Sequence, residues 1–211
     1  MTTTLFTNAH IATGEPGSTA ASTLPLQDIL VTDGVFTAFG PGLAQQYEAQ
    51  GGDLAAIEVV DLGGKLVCPP FCDTHLHLDY VFTARKPGAV NESGTLFEGI
   101  QRWSETKSDL TVDEIKQRAK IGIKKEMLHG VQLIRSHADV TDPNLTSLKA
   151  LLELKEELKD TVTLQIVSFP QEGMYSYEGP HGESGAELVE EGLKMGADCV
   201  GAVSYTHLRA H

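Results

Sequence analysis

Two different rhythms of apolar and polar residues divide the chain. Up to about residue 63 the apolar positions come in short runs typical of β-strands. Residues 4–11 (TLFTNAHI), 28–32 (DILVT), 35–39 (VFTAF) and 57–62 (IEVVDL) each predict a strand. Asp33-Gly34, between the second and third of these, is a two-residue hairpin signal. Residues 14–23 are rich in Gly, Ser and Thr and predict a polar loop. So few short strands bury little apolar surface, so this unit is expected to lean on other structure.

From residue 64 the pattern becomes strand then helix, repeated. An apolar run at 65–71 leads into His75-Leu-His77, and a long loop follows at 84–94. Helices are expected near 95–107 and over 111–128. The second opens with the capping-box pattern Thr111-Val-Asp-Glu114 and closes before Gly130. A strand is expected at 131–140, and then an amphipathic helix at 144–158 with Leu145, Leu148, Leu151, Leu152 and Leu154 as its apolar stripe. A third strand (162–169), a helix ended by Gly196 (185–195) and a fourth strand (199–203) complete the series. Near-continuous apolar strands alternating with helices imply an α/β fold with a parallel sheet covered by helices. Four βα units are half of an eight-stranded barrel. The expected domains are residues 1–63, residues 64–203 and an aberrant tail, 204–211.

The formal net charge of −13 disfavours a nucleic-acid backbone or an anionic membrane as partner. Cys68, Cys72 and Cys199 form no disulfide-scaffold pattern, so reduced thiols are expected. No secretory signal and no apolar run of spanning length is present, from which a cytoplasmic location is expected.

His75 and His77 carry the clearest chemistry. Residues i and i+2 of a strand point to one face, so both imidazoles can reach one metal ion. On a helix they would splay apart by about 200°. Neutral imidazole suits zinc, iron and similar divalent metals. Parity places Asp73 and Asp79 on the same face, where a carboxylate can orient a ligating ring. A structural zinc site using Cys68 and Cys72 is the rival; Cys72 has the wrong parity and Pro69-Pro70 makes a poor knuckle. Arg135, His137 and Asp139 share a face near the end of the second strand, and Pro170-Gln171-Glu172-Gly173 follows the third. In a barrel these positions meet on the C-terminal rim, where chemistry collects. His137 is either part of that site or a core or supporting histidine. His10 is read as a strand-surface residue. His181-Gly-Glu183 imitates half of a zinc deaminase signature, but the Pro-Cys-x-x-Cys half is missing.

Five segments together resemble the metal-dependent amidohydrolase superfamily, and within it the bacterial cytosine deaminases. They are Pro69-Pro-Phe-Cys-Asp-Thr-His-Leu-His-Leu-Asp79, Ser93-Gly-Thr-Leu-Phe-Glu-Gly-Ile100 with Arg102-Trp103, Arg135-Ser-His-Ala-Asp-Val140, Leu164-Gln-Ile-Val-Ser-Phe-Pro-Gln-Glu-Gly173 and Gly196-Ala-Asp-Cys-Val-Gly-Ala202. The resemblance implies that the N-terminal strands are part of a small β-sandwich preceding the first half of a TIM-like (β/α)8 barrel. It implies that His75 and His77 bind one divalent iron or zinc ion, and that Leu96 and Gln171 line a pyrimidine pocket. Asp79, His137 and Asp139 are the candidates to support the metal ligands. The implied reaction is hydrolysis of cytosine to uracil and ammonia by metal-activated hydroxide, in an enzyme expected to be a homo-oligomer.

After Val203 the pattern departs from the family. Ser204-Tyr-Thr-His-Leu-Arg-Ala-His211 does not resemble a fifth strand, and His207 and His211 read as foreign sequence rather than replacement ligands. The later metal ligands and the proton-shuttling Glu and His that the resemblance implies are not among these residues. The expectation is therefore an inactive fragment of an active enzyme. Another ring amine, isoguanine- or aminotriazine-like, is the alternative substrate.

Overall fold

The computed structural model describes residues 2–12 and 24–201, which form two units, one on each side of the Pro69–Pro70 junction. The expected tail at 204–211, and the end of the strand expected at 199–203, lie outside the described residues.

The N-terminal unit is a five-stranded sheet. It contains β1 (Thr3–Ile11), β2 (Leu26–Thr32), β3 (Val35–Gly40), β4 (Glu58–Asp61) and β5 (Leu66–Val67), with a short helix, α1 (Leu43–Ala49), after β3. The order is β3-β2-β1-β4, and β5 also pairs with β1. Asp33 and Gly34 both adopt positive φ, 49° and 78°, as a twisted two-residue hairpin turn requires. Buried Asp28 accepts the Asn8 and Leu43 N–H groups at 3.1 and 2.9 Å, which ties β1 and α1 to β2.

The apolar run at 65–71 does not form one strand. Leu66 and Val67 pair with His10 and Ile11 of β1, whereas Phe71 starts a different sheet. Pro69 and Pro70 lack the N–H that a continuous ladder would need. The boundary between the units therefore falls at these prolines rather than at residue 63.

The second unit is built on a parallel sheet in the order β6-β7-β8-β9. Its strands are β6 (Phe71–Leu76), β7 (Val131–Asp139), β8 (Thr163–Phe169) and β9 (Cys199–Val200). The helices are α2 (Leu96–Lys107), α3 (Val112–Leu128), α4 (Thr146–Glu157) and α5 (Gly185–Met195). This is the α/β barrel architecture that the sequence pattern predicts, present among the described residues as three βα units and a fourth strand. Ile134, Ser136 and Ala138 of β7 are buried, and Ile115, Ala119, Ile123, Leu148, Leu151 and Leu154 supply the helical side of the core. The opposite parity of β7 carries Leu133, Arg135, His137 and Asp139, the last two at the C-terminal end of the strand. Capping boxes at Thr111/Glu114 and Ser184/Glu187 fix the starts of α3 and α5. Helix α4 begins at Thr146, later than its apolar stripe suggests. Leu145 is buried in a left-handed conformation (φ 50°), and Asp142 accepts the Thr146 N–H at 3.0 Å.

Candidate metal centre

The C-terminal ends of β6 and β7 bring three imidazoles together. The His75 and His77 ring centroids lie 5.3 Å apart, and His137 lies 4.1 Å from His75 and 5.3 Å from His77. One ligand nitrogen from each lies within 4.8 Å of the others. Among the described residues no other group of three or more His, Cys, Asp or Glu side chains approaches so closely. The expected convergence of His75 and His77 is therefore present, and His137 joins it directly. Cys68 and Cys72 are exposed, and within the second unit Cys72 is not among the clustered ligands.

The strand is less regular than a simple alternation assumes. Asp73 pairs with Ile134 and Leu76 with Ser136, so β6 takes one more residue than β7 over this stretch. Asp73 accepts the His75 backbone N–H at 2.9 Å. His77 follows the strand, with its ring stacked on Tyr80 (4.6 Å between centroids) and edge-on to Phe169 (5.4 Å).

The surroundings favour neutral imidazole. Burial, then the neighbouring His137 and His75, push His77 down to about 4. Burial and His75 likewise lower His137. Neutral imidazole is the metal-binding form. Moreover, Nδ1 of His77 and Nδ1 of His137 are buried with no hydrogen-bond partner. Buried nitrogens left unpaired are costly, and a coordinated cation would satisfy them. The donor set thus fits a divalent metal.

Asp79 and Asp139, the expected supports of the metal ligands, make their hydrogen bonds to groups other than the imidazoles, while the Asp139 carboxylate acts on His77 through its charge. Asp79 is wholly buried; its two oxygens accept the Tyr80 and Asp139 N–H groups at 3.0 and 2.9 Å. Asp139 Oδ1 accepts from Thr141 N–H (2.8 Å), Thr141 Oγ1 (2.6 Å) and Gln171 N–H (3.3 Å). Its Oδ2 accepts from Trp103 Nε1 (2.7 Å) and Lys107 Nζ (3.1 Å). These oxygens anchor backbone and helix α2 rather than a histidine ring. Asp79 lies past the end of β6, where strand parity no longer governs the direction of a side chain.

A cavity of about 920 Å³ opens beside the cluster, lined among others by His75, His77, Leu96, Trp103 and Gln171. Leu96 is the first residue of α2, whose N-terminus is capped by Thr95 accepting the Glu98 N–H at 3.3 Å. Gln171 enters from the loop after β8, and its side-chain amide makes no hydrogen bond among the described residues. The two sequence-predicted pocket residues therefore share one cavity with the two histidines. Trp103 and Lys107 are the site residues that chemical reasoning from the sequence left without a role. Their spacing of i and i+4 puts both on one face of α2, but nothing local reveals that the face meets Asp139.

Residues 58–203 match the Amidohydrolase family. The chain belongs to that family. Its members generally hold a divalent metal, in keeping with the histidine cluster. The fold is similar to 5-methylcytosine deaminase from Klebsiella pneumoniae, solved with 5-fluorocytosine, at 39% identity and a TM-score of 0.74. That match covers 93% of this chain and 42% of the Klebsiella protein. N-isopropylammelide isopropyl amidohydrolase of Pseudomonas sp. (strain ADP) is 35% identical over 148 residues, 68% of this chain and 36% of that protein. Pterin deaminase of Rhizobium rhizogenes (strain K84 / ATCC BAA-868) is 27% identical over 152 residues, 70% of this chain and 32% of that one. The chain thus spans between 32% and 42% of the length of these relatives. Among the described residues no helix is long and apolar enough to cross a membrane.

Proposed function

We propose that this chain serves in the metal-dependent hydrolytic deamination of cytosine to uracil and ammonia, with iron or zinc as the ion. The observation that carries the reading is the shared cavity: His75, His77, Leu96 and Gln171 line it together, and His137 touches both histidines. Because the chain spans 42% of the Klebsiella enzyme, the reaction is assigned to the protein as a whole, and residues 70–201 to its metal and ring-binding part.

A divalent ion held by these histidines would lower the pKa of water and supply hydroxide at neutral pH. The remaining chemistry on this chain is recognition. The Gln171 amide, which has no hydrogen bond among the described residues, offers both a donor and an acceptor to the polar edge of a pyrimidine. Leu96 offers an apolar contact to the ring. Trp103 and Tyr80 supply flat aromatic walls, and Tyr80 also keeps the His77 ring in place by stacking.

A second substrate class has specific support. The Pseudomonas relative, 35% identical, is an N-isopropylammelide isopropyl amidohydrolase, so another ring amine, isoguanine- or aminotriazine-like, is the alternative. Phe169-Pro170-Gln171-Glu172 together with Leu96 favours cytosine. Ammonia release by the metal-loaded whole protein from cytosine, 5-methylcytosine and an aminotriazine decides between them, with His75→Ala as control. Cytosine is expected to give the highest kcat/KM. A preference for the aminotriazine would reassign the substrate, and no ammonia from any of them would overturn the deamination reading.

A further inference from the structure

Lys107, the last residue of α2, has its side chain only 11% exposed, yet its ammonium faces two carboxylates. Its Nζ donates to Asp139 Oδ2 at 3.1 Å, Thr141 Oγ1 at 2.9 Å and Glu172 Oε1 at 2.5 Å. An ammonium has three protons, and all three are used. Burial works against the charged form, but Asp139 and Glu172 outweigh it and hold Lys107 above the usual lysine range.

The acceptors lie on either side of Gln171. Asp139 accepts the Gln171 backbone N–H, and Glu172 is the next residue along. Ser104 of α2 adds a second bond to Glu172 Oε1, at 2.9 Å. Trp103 adds a second bond from α2 to Asp139. One end of α2 thus grips the backbone that presents Gln171, while the other end starts with Leu96 at the same cavity. Without the ammonium, two carboxylates would face each other with little water to separate them, and Glu172, the more exposed, would swing away.

We propose that Lys107 is a positioning residue: by bridging Asp139 and Glu172 it fixes the Gln171 amide at the height where a ring is recognised. The inference rests on the assignment of Gln171 to the substrate pocket. A merely structural ion pair would stabilise the fold without acting through Gln171.

The test uses Lys107→Met and Lys107→Arg, each alone and combined with Gln171→Ala, with metal content measured throughout. Lys107→Met is expected to raise KM for cytosine about tenfold, with kcat changed by less than about threefold and bound metal unchanged. In the Gln171→Ala background the same substitution should change KM little, and Lys107→Arg should restore part of the loss. Hydrogen exchange gives a readout independent of activity. The Gln171 and Glu172 amides should exchange faster in Lys107→Met, and those of His75 and His77 should not. If Lys107→Met does not fold, Glu172→Gln breaks one arm of the bridge and should give the same exchange pattern. Additive KM effects, or exchange at Gln171 unchanged in the folded variant, would overturn the positioning role. Absence of ammonia release by the unsubstituted protein would sink the deaminase reading alone, since the exchange measurement still decides whether Lys107 holds Gln171.

Discussion

The Trp103 indole Nε1–H donates to Asp139 Oδ2 at 2.7 Å, joining α2 to the end of β7 across the sole tryptophan of the chain. The ring faces the cavity while its polar edge is spent on the buried carboxylate. Trp103→Phe keeps most of the apolar area and removes that bond. A hydrogen bond to a buried charged group contributes about 1.5–3 kcal/mol. Urea unfolding should show a loss in that range; an unchanged midpoint would mean that Lys107 suffices for Asp139 Oδ2.

A pH effect follows from His77. Its folded-state value of about 4 lies below the ordinary 6.5, so between these values the unfolded chain binds more protons than the folded one. Stability from this group is therefore present above pH 6.5 and lost as the pH falls towards 4. Asp79 acts in the opposite sense, because burial pushes its carboxyl up to about 7 and the cost of ionising it grows as pH rises. The two partly cancel in the metal-free protein. The stability difference between the unsubstituted chain and His77→Gln isolates the histidine: it should widen as pH rises from 4 to 6.5, by at most about 1.4 kcal/mol per pH unit. A difference that stays constant over that window would contradict the buried, neutral His77.

Gly192 tests the packing of α5 on the sheet. A Cβ there would sit 2.6 Å from Ser168 Oγ and 3.1 Å from Leu148 Cδ2. Gly192→Ala should therefore lower stability by about 1–3 kcal/mol, although alanine is the better helix former. Thermal unfolding at neutral pH is the measurement; a raised Tm would show that α5 stands off from β8.

Much of the second unit was legible in the sequence because its signals were strong and local. The capping box at Thr111 marks a helix start and Gly196 a helix end, and the apolar runs of β7 and β8 read as buried parallel strands. The convergence of His75 and His77 was legible too, since both lie close to β6. What was hidden depended on tertiary contact. Asp73 accepts the His75 backbone N–H, and Asp79 and Asp139 accept from Tyr80, Thr141, Trp103 and Lys107, partners that residue spacing does not reveal. Short elements were hidden for a different reason. Leu66–Val67 and α1 carry too few residues for a period to show, and pairing with β1 decides the fate of the former.

Titration of metal-stripped protein with cobalt(II), followed by visible absorption, bears most directly on whether His75, His77 and His137 form a metal centre. The expected result is about one ion bound per chain with imidazole ligands, a spectrum abolished by His75→Ala and altered by His137→Ala, and displacement of cobalt by zinc. Cobalt that binds with the same affinity and spectrum after His75 and His77 are both replaced by alanine would contradict the metal centre, and with it the proposed hydrolytic deamination.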